Sequence, residues 1–251
     1  MQIKTKGLIL KYRNIGENDK IITILSKEYG LIQASVKNAK TTKSGLAGIC
    51  QVLSYNEFCL FKGKGNYIVN SAETVASFFS LCNDVVSFSL AGYLCELVCY
   101  ICNDNDDNAE KYLSLLLNTL YFLKEKRRNS NLLKAIYELR LLSIAGFMPN
   151  LVCCSACAKY EDEFFYFLPQ EGVIMCKDCF VKTEGQIYFE ISNSVLIALR
   201  HIVFAEDNKI FSFNLTGQSL KRLNLITEYY VKIHTQAEFN SLQMYNALNE
   251  E

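Results

Sequence analysis

Two Cys-x-x-Cys pairs, Cys154-Ser-Ala-Cys157 and Cys176-Lys-Asp-Cys179, are separated by 18 residues, and this spacing constrains the fold of the chain more than any other feature. Each pair can turn both sulfurs toward one ion, so the four read as a closed tetrahedral site for Zn2+, one ion per chain. Four thiolates leave no open coordination position, which makes the ion structural. The intervening Glu161–Met175 carries Phe164, Phe165, Tyr166 and Phe167 ahead of Pro169-Gln-Glu-Gly172 and reads as a hairpin. Cys153 adjoins Cys154 and leaves a choice of ligand open, although only Cys154 has the two-residue gap to Cys157. A metal-pinned module is therefore expected at about 150–182.

The rest of the chain changes periodicity once. Up to about residue 75 it reads as five short strands, Ile3–Tyr12, Lys20–Ser26, Leu31–Lys37, Val52–Phe61 and Tyr67–Ala72, rich in β-branched and aromatic residues between Gly-bearing breaks. The break from Asn38 to Gly48 is long and basic. Five strands with long loops suggest an OB-fold barrel, whose strand face and loops commonly bind single-stranded nucleic acid. Beyond about 75–82 the apolar spacing becomes helical, with stripes over Glu110–Arg127 and Leu132–Ala145. Gly146 and then Pro149 stop the second of these. Two further helices are expected near Ser192–Phe204 and Gly217–Thr235. The fold class is α+β: an OB-fold over 1–78, then an all-α domain over 79–251 with the zinc module inserted.

Charge is divided unevenly between these parts. The whole chain carries 26 basic and 26 acidic side chains, yet residues 1–80 hold eleven basic and five acidic, a net of +6, and the remainder is at −6. In the first module Lys11 and Arg13, then Lys37, Lys40 and Lys43, then Lys62 and Lys64 alternate with Tyr12, Tyr55, Phe61 and Tyr67. Amines suit phosphates and flat rings suit unpaired bases, so these seven cations, with Lys4 and Lys6 ahead of them, point to nucleic-acid binding. A second basic cluster, Lys124, Lys126, Arg127 and Arg128, ends a helix, where cations also complement the helix dipole.

Several function classes are excluded or weakened. No run of about 18 apolar residues exists to cross a bilayer, and the first twelve residues lack the apolar core of a signal peptide, so a cytoplasmic protein with reduced thiols is expected. Cys95, Cys99 and Cys102 follow helical spacing among Leu and Val and read as core, as do Cys50, Cys59 and Cys82. The only histidines, His201 and His234, have no nucleophile or acid motif beside them. Gly63-x-Gly65 lacks the context of a dinucleotide fingerprint. The acidic run Asp104 to Asn108 lacks the glycine and glutamate of a calcium loop and reads as a solvated loop. Catalysis is therefore not expected, and the alternative to a nucleic-acid binder is a protein interaction scaffold with incidental DNA contact.

Gly7-Leu-Ile-Leu10, Gly16-Glu-Asn-Asp-Lys-Ile-Ile-Thr-Ile-Leu25, Gly30-Leu-Ile32, Lys37-Asn-Ala-Lys40 and Phe61-Lys-Gly-Lys-Gly65, together with the paired cysteines, resemble the RecO family of bacterial recombination mediators. The resemblance implies an OB-fold, a helical domain with a four-cysteine zinc module, and no enzymatic turnover. It further implies nucleoid-associated action: binding of single- and double-stranded DNA, annealing of complementary strands, partnership with RecR and with the C-terminal tail of single-strand-binding protein, and indirect help in loading RecA. Carried over by the resemblance, the candidate DNA-binding residues are Lys37, Lys40 and Lys43 of the basic loop with Lys11, Arg13, Lys62 and Lys64. Two departures stand out: Asn38 occupies a place where the family often has glycine, and lysines replace several arginines.

Overall fold

The computed structural model describes residues 2–39, 49–63 and 66–249. Lys40, Lys43 and Lys64, three of the seven expected DNA-binding cations, lie outside the described residues. The fold is mixed α+β, with five N-terminal strands followed by helices. It divides into two compact units, Met1–Glu125 with Phe239–Glu251, and Lys126–Glu238.

The first unit begins with β1 (Gln2–Ile15), β2 (Asp19–Ser26), β3 (Gly30–Val36), β4 (Ser54–Lys62) and β5 (Tyr67–Ser77). They pair in the order β1-β2-β3-β5-β4, and β4 pairs again with β1, so every strand has two neighbours. All pairs are antiparallel except β3 with β5. Alternation places Ile22, Ile24, Ile32, Ala34, Phe58 and Leu60 in one buried cluster on the inner face. At Gly7 the partner strand passes so closely that a Cβ would collide with Ile24, which explains a glycine inside β1.

A 3-10 turn (Phe79–Asn83), α1 (Val85–Ile101), α2 (Ala109–Lys124) and α6 (Asn240–Asn249) complete this unit. Asp84 caps α1 by accepting from the Val86 N–H at 3.2 Å. α1 packs on β1, and α2 packs on β2 and β3. That covering explains why Leu8, Leu10 and Leu25 are buried although they point away from the inner cluster. The acidic Asp104–Asn108 run is more than a solvated loop: the Leu31 N–H donates to the Asn103 carbonyl and the Asn105 N–H to the Tyr29 carbonyl, at 3.0 and 2.9 Å. Gly30, with φ +66°, makes this approach possible.

In the second unit, α3 (Ser130–Ile144), α4 (Asn193–Phe204) and α5 (Gly217–Thr235) accompany a small sheet of β6 (Asn150–Cys154), β7 (Phe164–Leu168), β8 (Val173–Cys176) and β9 (Phe189–Ser192), ordered β6-β8-β7-β9. The expected hairpin is β7 with β8. Flanking strands enlarge it to four, so the region after residue 79 is not purely helical outside that hairpin. Phe165, Phe167, Ile174 and Ile191 fill the buried face of the sheet. α3 and α5 share a buried charge network: Lys134 Nζ lies 3.0 Å from both Glu138 and Glu228, and Thr227 donates to Glu138 at 2.7 Å.

Candidate nucleic-acid interface and metal centre

Strand register decides which side chains share a face. Directly opposed residues point the same way, so successive pairings trace rows across the sheet. One row, facing away from the inner cluster, runs around all five strands as Arg13, Ile21, Ser35, Ile68, Phe61, Gln2, with Ile21 buried. Lys11 begins the next outward row, opposite Thr23 and then Gln33. On the other side Ile15 lies opposite Asp19, whose carboxylate holds Lys37 at 2.8 Å. The structure thus gathers Lys11, Arg13 and Lys37 on one outward face. Lys62 belongs to a neighbouring row of opposite facing, through Tyr67 and Ala34, and is exposed at its strand end.

These cations differ in electrostatic state. Among the described residues, Lys11 and Arg13 have no carboxylate partner. Lys37 shares Asp19 with the Asn38 backbone N–H, which donates at 2.9 Å. Asn38 has φ +53°, a left-handed conformation that glycine and asparagine tolerate, so asparagine suits the backbone shape at this turn. The Lys37 hydrogen bond, and then that N–H, hold the Asp19 carboxyl below the usual range. The aromatics also separate: Tyr67 packs on the inner cluster, Tyr55 is half-buried, Tyr12 carries the Lys20 ammonium 4.4 Å above its ring, and Phe61 stands 52% exposed. Ile15 and Ile68 escaped the sequence reading because only register reveals that they share the facing of Arg13, whereas Lys20, opposite Asn14 and the inward Val36, has the other facing.

The second basic cluster is partly engaged within each unit. Lys124 donates to the Ser77 carbonyl and Arg128 to the Phe213 carbonyl, both at 3.3 Å. The histidines serve packing, with His201 against Phe213 and His234 between Phe147 and Tyr230. Burial pushes the Cys99 and Cys102 thiols up to about 11 and 12, so both stay protonated at neutral pH.

The sulfurs of Cys154, Cys157, Cys176 and Cys179 lie within 4.8 Å of one another. Cys153 is not among them, which answers the adjacency question: Cys154 is the buried residue at the end of β6, bonded through its N–H to the Lys159 carbonyl at 2.9 Å. The Cys157–Cys176 separation of 3.6 Å matches the edge of about 3.8 Å that a tetrahedron with metal–sulfur bonds of about 2.3 Å requires. The Cys176 N–H donates to the Cys154 sulfur at 3.3 Å. Burial raises the Cys154 thiol, but N–H groups of Cys176, Cys157 and Ala156 outweigh it and bring the thiol down to about 6, while hydrogen bonds with Cys176 and Cys157 push Cys179 up to about 12. Four sulfurs at tetrahedral spacing, with an amide donor to one of them, fit a divalent zinc ion.

Two family models match the chain: Recombination protein O N terminal over residues 1–78, and Recombination protein O C terminal over residues 82–243. The chain belongs to the RecO family. It is 33% identical over 247 residues to a protein of Acetivibrio thermocellus named DNA repair protein RecO, covering 98% of this chain and 97% of that one. Proteins of the same name from Alkaliphilus metalliredigens and Caldicellulosiruptor bescii are each 32% identical, with 97% of this chain covered. The family expected from the glycine and lysine motifs is thus the family found. No helix of the described RecO-family chain is long and apolar enough to cross a membrane.

Proposed function

We propose that this chain is a DNA repair and recombination mediator that binds single- and double-stranded DNA without reading sequence. The observation that carries this reading is the outward face where Lys11 and Arg13 stand without carboxylate partners beside Lys37, in a chain whose relatives bear the name DNA repair protein. The five-stranded ring, in the order β1-β2-β3-β5-β4, is read as a closed OB-fold barrel, and residues 1–78 and 79–251 as the functional domains. Lys40, Lys43, Lys62 and Lys64 would extend the cationic surface. Screening the repulsion of two strands on one such surface supports annealing of complementary strands. With RecR, and through the C-terminal tail of single-strand-binding protein, the chain would assist RecA loading on coated strands. It acts in the bacterial cytoplasm at the nucleoid, without turnover. Cys154, Cys157, Cys176 and Cys179 hold one structural Zn2+, which fixes the knuckles to the small sheet.

Fluorescence anisotropy with single- and double-stranded oligonucleotides across a salt series tests the DNA reading. Affinity is expected for both forms, with its logarithm falling linearly against log salt. Metal analysis of protein purified without chelator is expected to give one zinc per chain. A second reading, an interaction scaffold with incidental DNA contact, is favoured by exposed Ile197, Phe204 and Tyr160 on the second unit. Co-elution with a partner protein and no oligonucleotide binding would decide for it.

A further inference from the structure

We infer that Phe61 and Ile68 make the outward face discriminate unpaired strands from duplex, an inference that rests on the DNA-binding reading above. Cations alone bias such a surface the other way, because duplex carries one charge per about 1.7 Å of axis and attracts amines strongly. Preference for single strands therefore has to come from groups that recognise what only unpaired nucleotides offer, the flat faces of their bases.

Phe61 on β4 lies directly opposite Ile68 on β5, and the two are 52% and 38% exposed. Among the described residues Phe61 makes no ring contact, unlike Tyr12 beneath Lys20 and Tyr67 on the inner cluster. The row that holds the pair passes from Phe61 onto β1 at Gln2, and Lys4, two residues further along β1 and opposite Cys59, is an exposed cation of the same facing. A nucleotide seated on Phe61 thus has an exposed amine beside it on β1. The rim of the ring is therefore divided: apolar side chains on β4 and β5 take bases, and cations on β1 take phosphates. In duplex the base faces are covered by stacking, so only the cationic part is used.

The test compares wild type with Phe61→Ala, Phe61→Trp and Ile68→Ala on a single-stranded oligonucleotide longer than a site of about 4–16 nucleotides, and on the matching duplex. Stacking worth about 1–3 kcal/mol per base converts to a loss of about 5- to 150-fold for Phe61→Ala on the single strand. Duplex affinity and salt slope are expected to stay unchanged, Phe61→Trp to retain binding, and Ile68→Ala to lose a smaller factor. Equal losses on both DNA forms, or no loss on the single strand, would overturn the inference. A melting curve for each variant checks folding, and Ile68→Ala keeps the test open if Phe61→Ala is unstable. Wild type failing to bind either oligonucleotide would instead sink the DNA-binding reading itself.

Discussion

The two β-rich regions of this protein are stabilised by different means. The N-terminal ring has strands of seven to fourteen residues, each with two neighbours, around a sizeable apolar cluster. The cysteine module has strands of four or five residues in an open sheet, with four sulfurs gathered where its knuckles meet. Burial suffices for the first, because long strands that each pair on both sides enclose a core of their own. Such short strands bury too little alone, and in the second the four gathered sulfurs stand where a bound metal would substitute for missing apolar area. The charges follow the same division: the region that burial holds together can spend its outer face on cations, whereas the four-cysteine region lies in the net-acidic part of the chain.

Removing the metal should break this comparison most visibly. Structural zinc binding is worth about 10–16 kcal/mol in small zinc peptides, so a strong chelator, or Cys176→Ser, is expected to unfold the module. Hydrogen exchange should then rise over 150–192 while β1 to β5 stay protected; loss of protection throughout would show that the ring also depends on the ion. Next in size is the buried network of the second unit. Lys134→Ala leaves the fully buried Glu138 carboxylate without its ammonium and is expected to cost about 3–5 kcal/mol in urea unfolding, whereas Lys134→Met with Glu138→Leu should be close to neutral. Equal costs for both variants would mean that shape and not charge dominates there.

The smallest effect concerns the cationic face. Asp19 occupies Lys37, so Asp19→Asn should release the lysine and raise DNA affinity a few-fold at low salt, with the gain shrinking as salt screens it. Because the Lys37 hydrogen bond depresses the Asp19 pKa, that pairing is present above the usual carboxylate range and is lost only as acid carries the pH down through the lowered value. Wild-type affinity should consequently show no step from this carboxylate near neutrality, which a pH titration at fixed salt checks.

Legibility in the sequence followed the range of the interactions. The paired cysteines and the strands of the ring were readable because spacing and alternation are local properties, and Gly146 with Pro149 marked the end of α3 for the same reason. α6 was not readable: its asparagine-rich segment has weak propensity, and only Tyr245 is buried in it. The Lys134 network was hidden because Glu228 is distant in sequence. β6 and β9 were missed because they exist only through pairing with the hairpin. In the candidate interface the residue types were visible, but their sorting was not. Nothing local says that Tyr67 faces inward while Phe61 faces out, since register across five strands decides it.

The claim that a cationic outer face on the first unit grips DNA is tested most directly by the salt dependence of single-strand affinity for wild type and for the double variant Lys11→Ala/Arg13→Ala. If both side chains contact phosphates, the log–log slope should shrink by about 1.4, or about 0.7 for each contact removed, with the melting temperature unchanged. A slope identical to that of wild type, or affinity indifferent to salt in both proteins, would contradict it.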